Sequence, residues 1–334
     1  MLIPAYDEAQ TIAATIRSVQ RQTRAPDAIL VIDDGSRDGT GAVARSLGVQ
    51  TLRTPRNRGC KALALNYGLQ FVDTEITLAV DADTTFDPDS FETLLAAFDD
   101  EDTVAACGAV LPRRVKTIWE RGRYVEYLLA FGFFRPIQDY YEKPLLASGC
   151  FSAYRTRSLR EAGGWPSRTI AEDVDLTWRM YVAGKKVRYV AGAVCYPIEP
   201  SDLGYLSRQL RRWCCGFMQA LKVHWRGVAH VPFLRIIVAI ALWDAVILAI
   251  VLLILLPILA VLVQPAFLLG YLIDLPMVVV PVMIASHRRG EMGKALGSLP
   301  GYFVLRFVNA WFVLAAVWQE FVVNRPLVRF EKGH

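Results

Sequence analysis

Three regimes of hydrophobic pattern divide the chain. Short apolar, partly β-branched runs recur through the first third: Met1 to Pro4, Ala28-Ile29-Leu30-Val31-Ile32, the stretch Val49 to Leu52, and Ile76-Thr77-Leu78-Ala79. Runs of this length bounded by polar residues predict buried strands. Helical patterns lie between them. Glu8 to Gln22 carries Ile12, Ile16 and Val19 at helical spacing, with acids early and Arg late as the helix dipole favours, and Thr40 to Leu47 and Ala62 to Phe71 follow. Strands alternating with helices predict an α/β fold with a mostly parallel sheet, and such sheets bind ligands beyond the carboxyl ends of their strands. The middle third is less regular. Val104 to Leu111 reads as a strand, Ile118 to Phe131 as an aromatic-rich amphipathic helix, and Leu145 to Arg155 as a strand broken by glycine. Beyond Val231 the chain turns apolar. Ile236 to Val263 and Ala266 to Ala285 are long enough to span a bilayer, and Tyr302 to Val323 is a third candidate interrupted by Arg306, Asn309, Gln319 and Glu320.

The polar clusters of the first third all sit where strands end: Tyr6-Asp7-Glu8, Asp33-Asp34-Gly35-Ser36 and Asp81-Ala82-Asp83. In extended backbone Asp81 and Asp83 point to one side, and two carboxylates in one small volume repel unless a cation or protons neutralise them. A divalent ion that also holds phosphate oxygens suits such a pair; a solvated turn is the plain alternative. The first strand-to-helix turn contains no GxGxxG, and Gly35 and Gly39 are too sparse to supply it, which argues against a dinucleotide fingerprint. Further on, Glu172 and Asp173 fit the first turn of a helix, where free N–H groups favour anions, either as a simple cap or as reactive groups. Gln209, Arg212 and Trp213 share one face of a helix that starts near Asp202. An amide, a guanidinium and a flat ring together suit a diphosphate and a sugar. Arg208, Arg211, Lys222 and Arg226 also fit a basic helix lying on lipid, and the two readings are compatible.

Composition adds the compartment. At 334 residues, 54% hydrophobic and mean hydropathy +0.30, the chain predicts a soluble part at 1–230, ending in interfacial helices from about 202, and a membrane region at 231–334. The net charge of +5 comes without a dense Lys/Arg block, which argues against nucleic acid as a partner and suits the cytoplasmic face of an anionic bilayer. The basic loop His287 to Lys294 is expected on the same side. Met1-Leu2-Ile3-Pro4 opens on a strand pattern rather than a leader, so the N-terminus is expected in the cytosol. The six cysteines show no ligand spacing and read as reduced packing residues. Asp244, Asp274 and Arg306 fall in apolar stretches, where pairing within the bundle is the plainest account.

In order, Pro-Ala-Tyr-Asp-Glu at 4–8, Asp-Asp-Gly-Ser at 33–36, Lys-Ala-x-Ala-Leu-Asn at 61–66, Asp-Ala-Asp at 81–83, Glu-Asp at 172–173 and Gln-x-x-Arg-Trp at 209–213 resemble the family 2 glycosyltransferases. Within that family the resemblance is to membrane-embedded cellulose, chitin, hyaluronan and poly-N-acetylglucosamine synthases. It implies a GT-A fold with a mixed, mostly parallel sheet followed by transmembrane and interfacial helices. It also implies inversion at the anomeric carbon of a UDP-sugar, with UDP-N-acetylglucosamine or UDP-glucose favoured, a plasma-membrane location and a cytoplasmic catalytic domain. Carried over residue by residue, Tyr6, Glu8, Asp34 and Lys61 line the nucleotide pocket. Asp81 approaches the ribose or diphosphate, and Asp83 with Asp81 forms the site for Mg2+ or Mn2+. Asp173, beside Glu172, is the general base. Gln209, Arg212 and Trp213 close over the diphosphate and receive the acceptor, whose side Gly149, Cys150 and Phe151 shape. Two departures are Ala171 in place of a frequent Thr and Cys60 in place of a small residue. A small membrane part also makes a homo-oligomer an expectation for a polymer-exporting synthase, and keeps single-sugar transfer to a lipid or protein acceptor as the alternative.

Overall fold

The computed structural model describes residues 1–327. The first third alternates as the pattern predicts: β1 (Leu2–Ala5), α1 (Ile12–Gln20), β2 (Leu30–Asp33), α2 (Thr40–Ser46), β3 (Gln50–Arg53), α3 (Lys61–Leu69) and β4 (Ile76–Val80). Next come β5 (Thr85–Phe86), α4 (Ser90–Leu95), β6 (Thr103–Val110), α5 (Ile118–Leu129), α6 (Arg135–Tyr140), β7 (Phe151–Arg155), α7 (Thr156–Glu161), α8 (Glu172–Val182), β8 (Lys186–Tyr196) and the long α9 (Leu203–His230). Among the described residues the strands form one sheet in the order β3-β2-β1-β4-β7-β6-β8-β5. Pairs β1–β2, β2–β3, β1–β4 and β6–β8 are parallel, whereas β7 and β5 run antiparallel to their neighbours. The parallel β1, β2 and β4 direct their carboxyl ends, and the acidic clusters that follow them, to one edge.

Two local expectations are corrected. The run Leu145 to Arg155 is a strand only from Phe151; its first half is a loop whose backbone is held by side chains instead of a ladder. Trp178 Nε1 donates to Leu145 O at 2.8 Å, Arg135 Nη1 to Leu146 O at 2.6 Å, and the Ala147 amide to Thr177 Oγ1 at 2.9 Å. The Asp-Ala-Asp triplet is not extended. The Thr84 amide donates to Asp81 O at 3.3 Å, closing a turn immediately after β4.

Three helices among the described residues are long and apolar enough to cross a membrane: Leu234–Leu262, Pro265–Arg288 and Met292–Val322. The first contains π-helical turns at Trp243–Ile247 and Val251–Leu255. The third begins ten residues before the expected Tyr302, because its opening turns pack on α5. There the two backbones touch at a glycine pair: a Cβ on Gly122 would stand 2.7 Å from Gly301 O. Asp274 and Arg306 form a two-pronged ion pair at 2.6 and 3.0 Å, which is the pairing expected for charges in apolar helices. Helix α9 ends at His230, and residues 328–334 of the expected membrane region lie outside the described residues.

Helices α8 and α9 are locked together. Asp175, completely buried, receives Arg168 Nε and Nη2 at 2.8 and 2.7 Å, and His224 Nε2 of α9 lies 2.7 Å from its Oδ1. Burial opposes ionisation of Asp175, but the Arg168 and His224 hydrogen bonds outweigh it and hold its carboxyl well below the ordinary range. This clamp fixes the start of α8, where Glu172 and Asp173 sit.

Candidate active site

The loops after β1 and β2 brace each other. The Asp7 amide donates to Ser36 Oγ at 3.0 Å, the Glu8 amide to Thr40 Oγ1 at 2.7 Å, and the Arg37 amide returns to Asp7 Oδ1 at 2.7 Å. Tyr6 and Glu8 are partly buried on this rim, and the Thr11 hydroxyl donates to Glu8 Oε2 at 2.7 Å. Asp34 is buried with both oxygens engaged, Oδ1 by the Thr54 hydroxyl at 2.8 Å and Oδ2 by the Arg58 amide at 2.9 Å.

Lys61, the first residue of α3, stands at the centre of the cleft. Its ammonium pairs with the Asp81 carboxylate, donates to Gly149 O at 2.8 Å and lies 3.8 Å from Glu172 Oε1. Gly149 closes the circle: its amide donates to Asp173 Oδ2 at 3.0 Å, while Asp173 Oδ1 accepts from the Val174 amide at 2.9 Å. A Cβ at Gly149 would sit 3.2 Å from Asp173 Oδ2 and 3.3 Å from Lys61 Nζ, so only glycine lets the backbone reach both groups without displacing one. The Asp81 amide donates to Cys150 O at 3.3 Å, which ties the β4 turn to this loop. Lys61, Asp81, Gly149, Cys150, Glu172 and Asp173, read from four separate stretches of sequence, thus share one volume. Asp83 lies across the turn, with its carbonyl accepting from Arg113 Nη2 at 2.5 Å and its Oδ1 from the Thr84 hydroxyl at 3.0 Å. Phe151 is different. It is fully buried, its ring 4.9 Å from that of Phe86 and 5.7 Å from that of Phe91, and it supports the floor without lining the cleft.

Electrostatics inside the cluster are uneven. Burial works against the Lys61 ammonium, but Asp81, Glu172 and Asp173 outweigh it and raise its pKa. Glu172 moves the other way for a carboxyl: burial pushes it up to about 7, with Lys61 opposing and Asp173 adding to the rise. A carboxyl raised in the native state keeps its proton where the unfolded chain has already lost it. Stability therefore falls as pH rises from about 4.5 to about 7, and the full cost remains above that window. Glu172→Gln is expected to raise the unfolding midpoint over wild type at pH 8 by a few degrees, at roughly 1–2 °C per kcal/mol for a chain of this size. The gain should shrink at pH 5. Thermal unfolding in detergent at both pH values is the check, and a gain equal at the two would contradict the assignment.

Helix α9 forms the opposite wall. Asp202 caps it, accepting from the Tyr205 amide at 2.9 Å. Gln209 is buried, and its Oε1 accepts from Arg123 Nη2 at 2.5 Å; Trp213 is 40% exposed, with the Arg123 guanidinium 4.4 Å from its ring centroid. Tyr205 turns toward the strand ends: burial first, then the nearby Asp83, Glu199 and Glu8 carboxylates raise its phenol, with Arg212 opposing. Arg113, Arg123, Glu199 and Tyr205 were not singled out in the sequence. Arg113 had a signal in its place directly after a strand, as the acidic clusters have. Arg123 had none, because an arginine beside Arg121 in a helix that also carries Glu120 and Glu126 reads as a solvated position.

Residues 1–163 match the model for Glycosyl transferase family 2, the part of the chain that holds β1 to β7 and the Lys61, Asp81 and Gly149 side of the cleft. The chain is similar to poly-beta-1,6-N-acetyl-D-glucosamine synthase of Staphylococcus epidermidis and to the same synthase of Staphylococcus aureus. Identity to each is 27% over 225 residues, covering 66% of this chain and 54% of theirs. The chain thus spans about half the length of these relatives. Among solved structures it resembles a mannosyltransferase from Pyrobaculum calidifontis in complex with GDP-Man and Mn2+, with TM-score 0.64, 18% identity, and coverage of 97% of this chain and 87% of that one. At that identity the likeness is one of fold, and the expected GT-A architecture is the one observed.

Proposed function

We propose that this protein is a membrane-embedded inverting glycosyltransferase that moves a sugar from a UDP-sugar to a hydroxyl of a growing glycan. The observation that carries the reading is the placement of Asp173 at a helix N-terminus, held by the Gly149 and Val174 amides, in the same cluster as Lys61 and Asp81. In this reading Tyr6, Glu8 and Asp34 border the nucleotide, with Asp34 fixed by Thr54 and Arg58 beside the base. Asp173 takes the proton of the acceptor hydroxyl as its oxygen bonds to the anomeric carbon and the bond from that carbon to the diphosphate breaks. Gln209, Arg212 and Trp213 receive the acceptor sugar and close over the diphosphate. Cys150, beside Gly149, lies on the acceptor side.

A donor set of one or two carboxylates fits Mg2+ or Mn2+, which complete their shells from phosphate and water. We assign the ion to Asp83, with Asp81 beside it in the turn after β4. When bound, the ion offsets charge on the leaving diphosphate. The names of the curated relatives support N-acetylglucosamine as the sugar, with glucose second, and the GDP-Man complex of the solved neighbour puts GDP-sugars on the test panel. We further assign residues 1–230 to a cytoplasmic catalytic unit and 231–334 to a plasma-membrane region. The basic stretch His287 to Lys294 supports this orientation.

The test is UDP or GDP release by the detergent-solubilised protein with Mn2+ or Mg2+ and a panel of nucleotide sugars, with products sized by mass spectrometry. A ladder of lengths from one UDP-sugar is the expected result. A single addition to a lipid or protein acceptor would replace polymer extension with single transfer, and release from no donor would sink the reading.

A further inference from the structure

A buried polar cluster between α5, α9 and the third apolar helix lies behind the acceptor wall. Arg123 is 1% exposed, and besides Gln209 and Trp213 it engages Glu126, its Nη1 donating to Glu126 Oε2 at 2.5 Å. Glu199 faces its Nε at 3.5 Å and accepts from the Tyr127 hydroxyl at 2.7 Å. The other oxygen of Glu126, Oε1, accepts from Asn309 Nδ2 of the third apolar helix at 3.0 Å. Direct contacts therefore run from Trp213 and Gln209 through Arg123 and Glu126 to Asn309.

Stability is a poor reason for such a cluster, since a buried ion pair is often no better than apolar residues of the same volume. Geometry is a better one. A guanidinium presents its donors in a fixed plane, so one side chain can hold an amide oxygen at its edge and an indole against its face. With the Gly122 and Gly301 backbones in contact, the third helix cannot slide along α5 without disturbing this assembly.

We propose that Arg123 is a positioning residue, orienting Gln209 and Trp213 for the acceptor sugar, and that the Glu126–Asn309 pair links that orientation to the third apolar helix. The inference rests on the reading of Gln209 and Trp213 as the acceptor side, with Arg212 as the group that takes the diphosphate. It makes acceptor use, rather than nucleotide binding, sensitive to a membrane helix distant from the reacting groups.

The test uses the full chain with Arg123→Met, Arg123→Lys and Asn309→Leu. Acceptor kinetics at saturating donor and nucleotide affinity are measured on each, with hydrogen exchange over α8 and α9. Arg123→Met should lose roughly 10- to 100-fold in kcat/KM for the acceptor, the scale of a misplaced binding group, with nucleotide affinity kept. Arg123→Lys should recover part of that loss, and Asn309→Leu should shift the same parameter the same way by less. Exchange should quicken around Gln209 to Trp213 in Arg123→Met and Asn309→Leu and stay unchanged over Glu172–Val182. Unchanged acceptor kinetics in Arg123→Met, or nucleotide affinity falling in step with transfer, would overturn the proposal. A wild-type protein that turns over no nucleotide sugar would defeat the functional reading itself. The exchange data then decide this inference: unaltered exchange at Gln209 to Trp213 in both variants refutes it, and local quickening upholds the link.

Discussion

Asp173→Asn is expected to abolish detectable sugar transfer while the protein still binds its nucleotide. Removal of a positioned general base costs roughly 10²- to 10⁴-fold in turnover. The substitution keeps the side-chain shape, and an amide oxygen can still accept from the Gly149 amide that now reaches Asp173 Oδ2 at 3.0 Å. The pocket should therefore stay assembled, and the loss should fall on kcat. Nucleotide affinity by calorimetry and donor turnover, measured on the same preparation, separate the two effects. Wild-type turnover in Asp173→Asn would remove Asp173 from the chemistry. Loss of nucleotide affinity together with turnover would make it a structural group.

The first half of the sheet was legible because its signals are local. In β2 and β4 short apolar runs end abruptly in acids, and periodicity alone distinguishes them from the helices between. β8 was missed for a physical reason. Its pairing with β6 jumps from Gly108 opposite Val190 to Ala109 opposite Val194, and the intervening bulge exposes Ala191 and Gly192, which destroys the two-residue alternation. The chemistry of the site was legible as residue types but not as partners. Nothing in Asp81-Ala82-Asp83 says that Lys61 pairs with the first carboxylate, or that the Asp81 amide is held by Cys150 O, because both partners come from distant stretches, α3 and the 145–150 loop. The α9 wall was legible only along its own helix: Gln209 and Trp213 were visible at helical spacing, whereas Arg123, which holds both, comes from a helix 86 residues before Gln209. The early start of the third apolar helix was equally hidden, since the Gly122–Gly301 contact that aligns it joins two glycines far apart in sequence.

Lys61→Met should reach furthest through the cleft, because it strips one cation from three carboxylates at once. Lys61 is raised in the native state, so the stability it contributes is whole at neutral pH and is lost only under strongly alkaline conditions. Breaking a fully buried ion pair costs roughly 3–5 kcal/mol. The side chain of Asp81 is 35% exposed and partly screened by solvent, so a loss of about 2–3 kcal/mol is expected here. At roughly 1–2 °C per kcal/mol this lowers the unfolding midpoint measurably at pH 8. The deficit should narrow from pH 8 to pH 5, because Glu172, which burial raises to about 7, takes up its proton over that range and no longer needs the missing ammonium. Transfer should fail at either pH, since Gly149 loses the ammonium that draws its carbonyl toward Asp81 and with it the placement of its amide on Asp173. Lys61→Arg is the companion variant: it keeps the charge but brings a wider head group into a space bounded by Gly149 O, Asp81 and Glu172. It should therefore recover more stability than activity. A methionine variant with the wild-type midpoint and wild-type turnover would show that the carboxylates are neutralised by something other than Lys61.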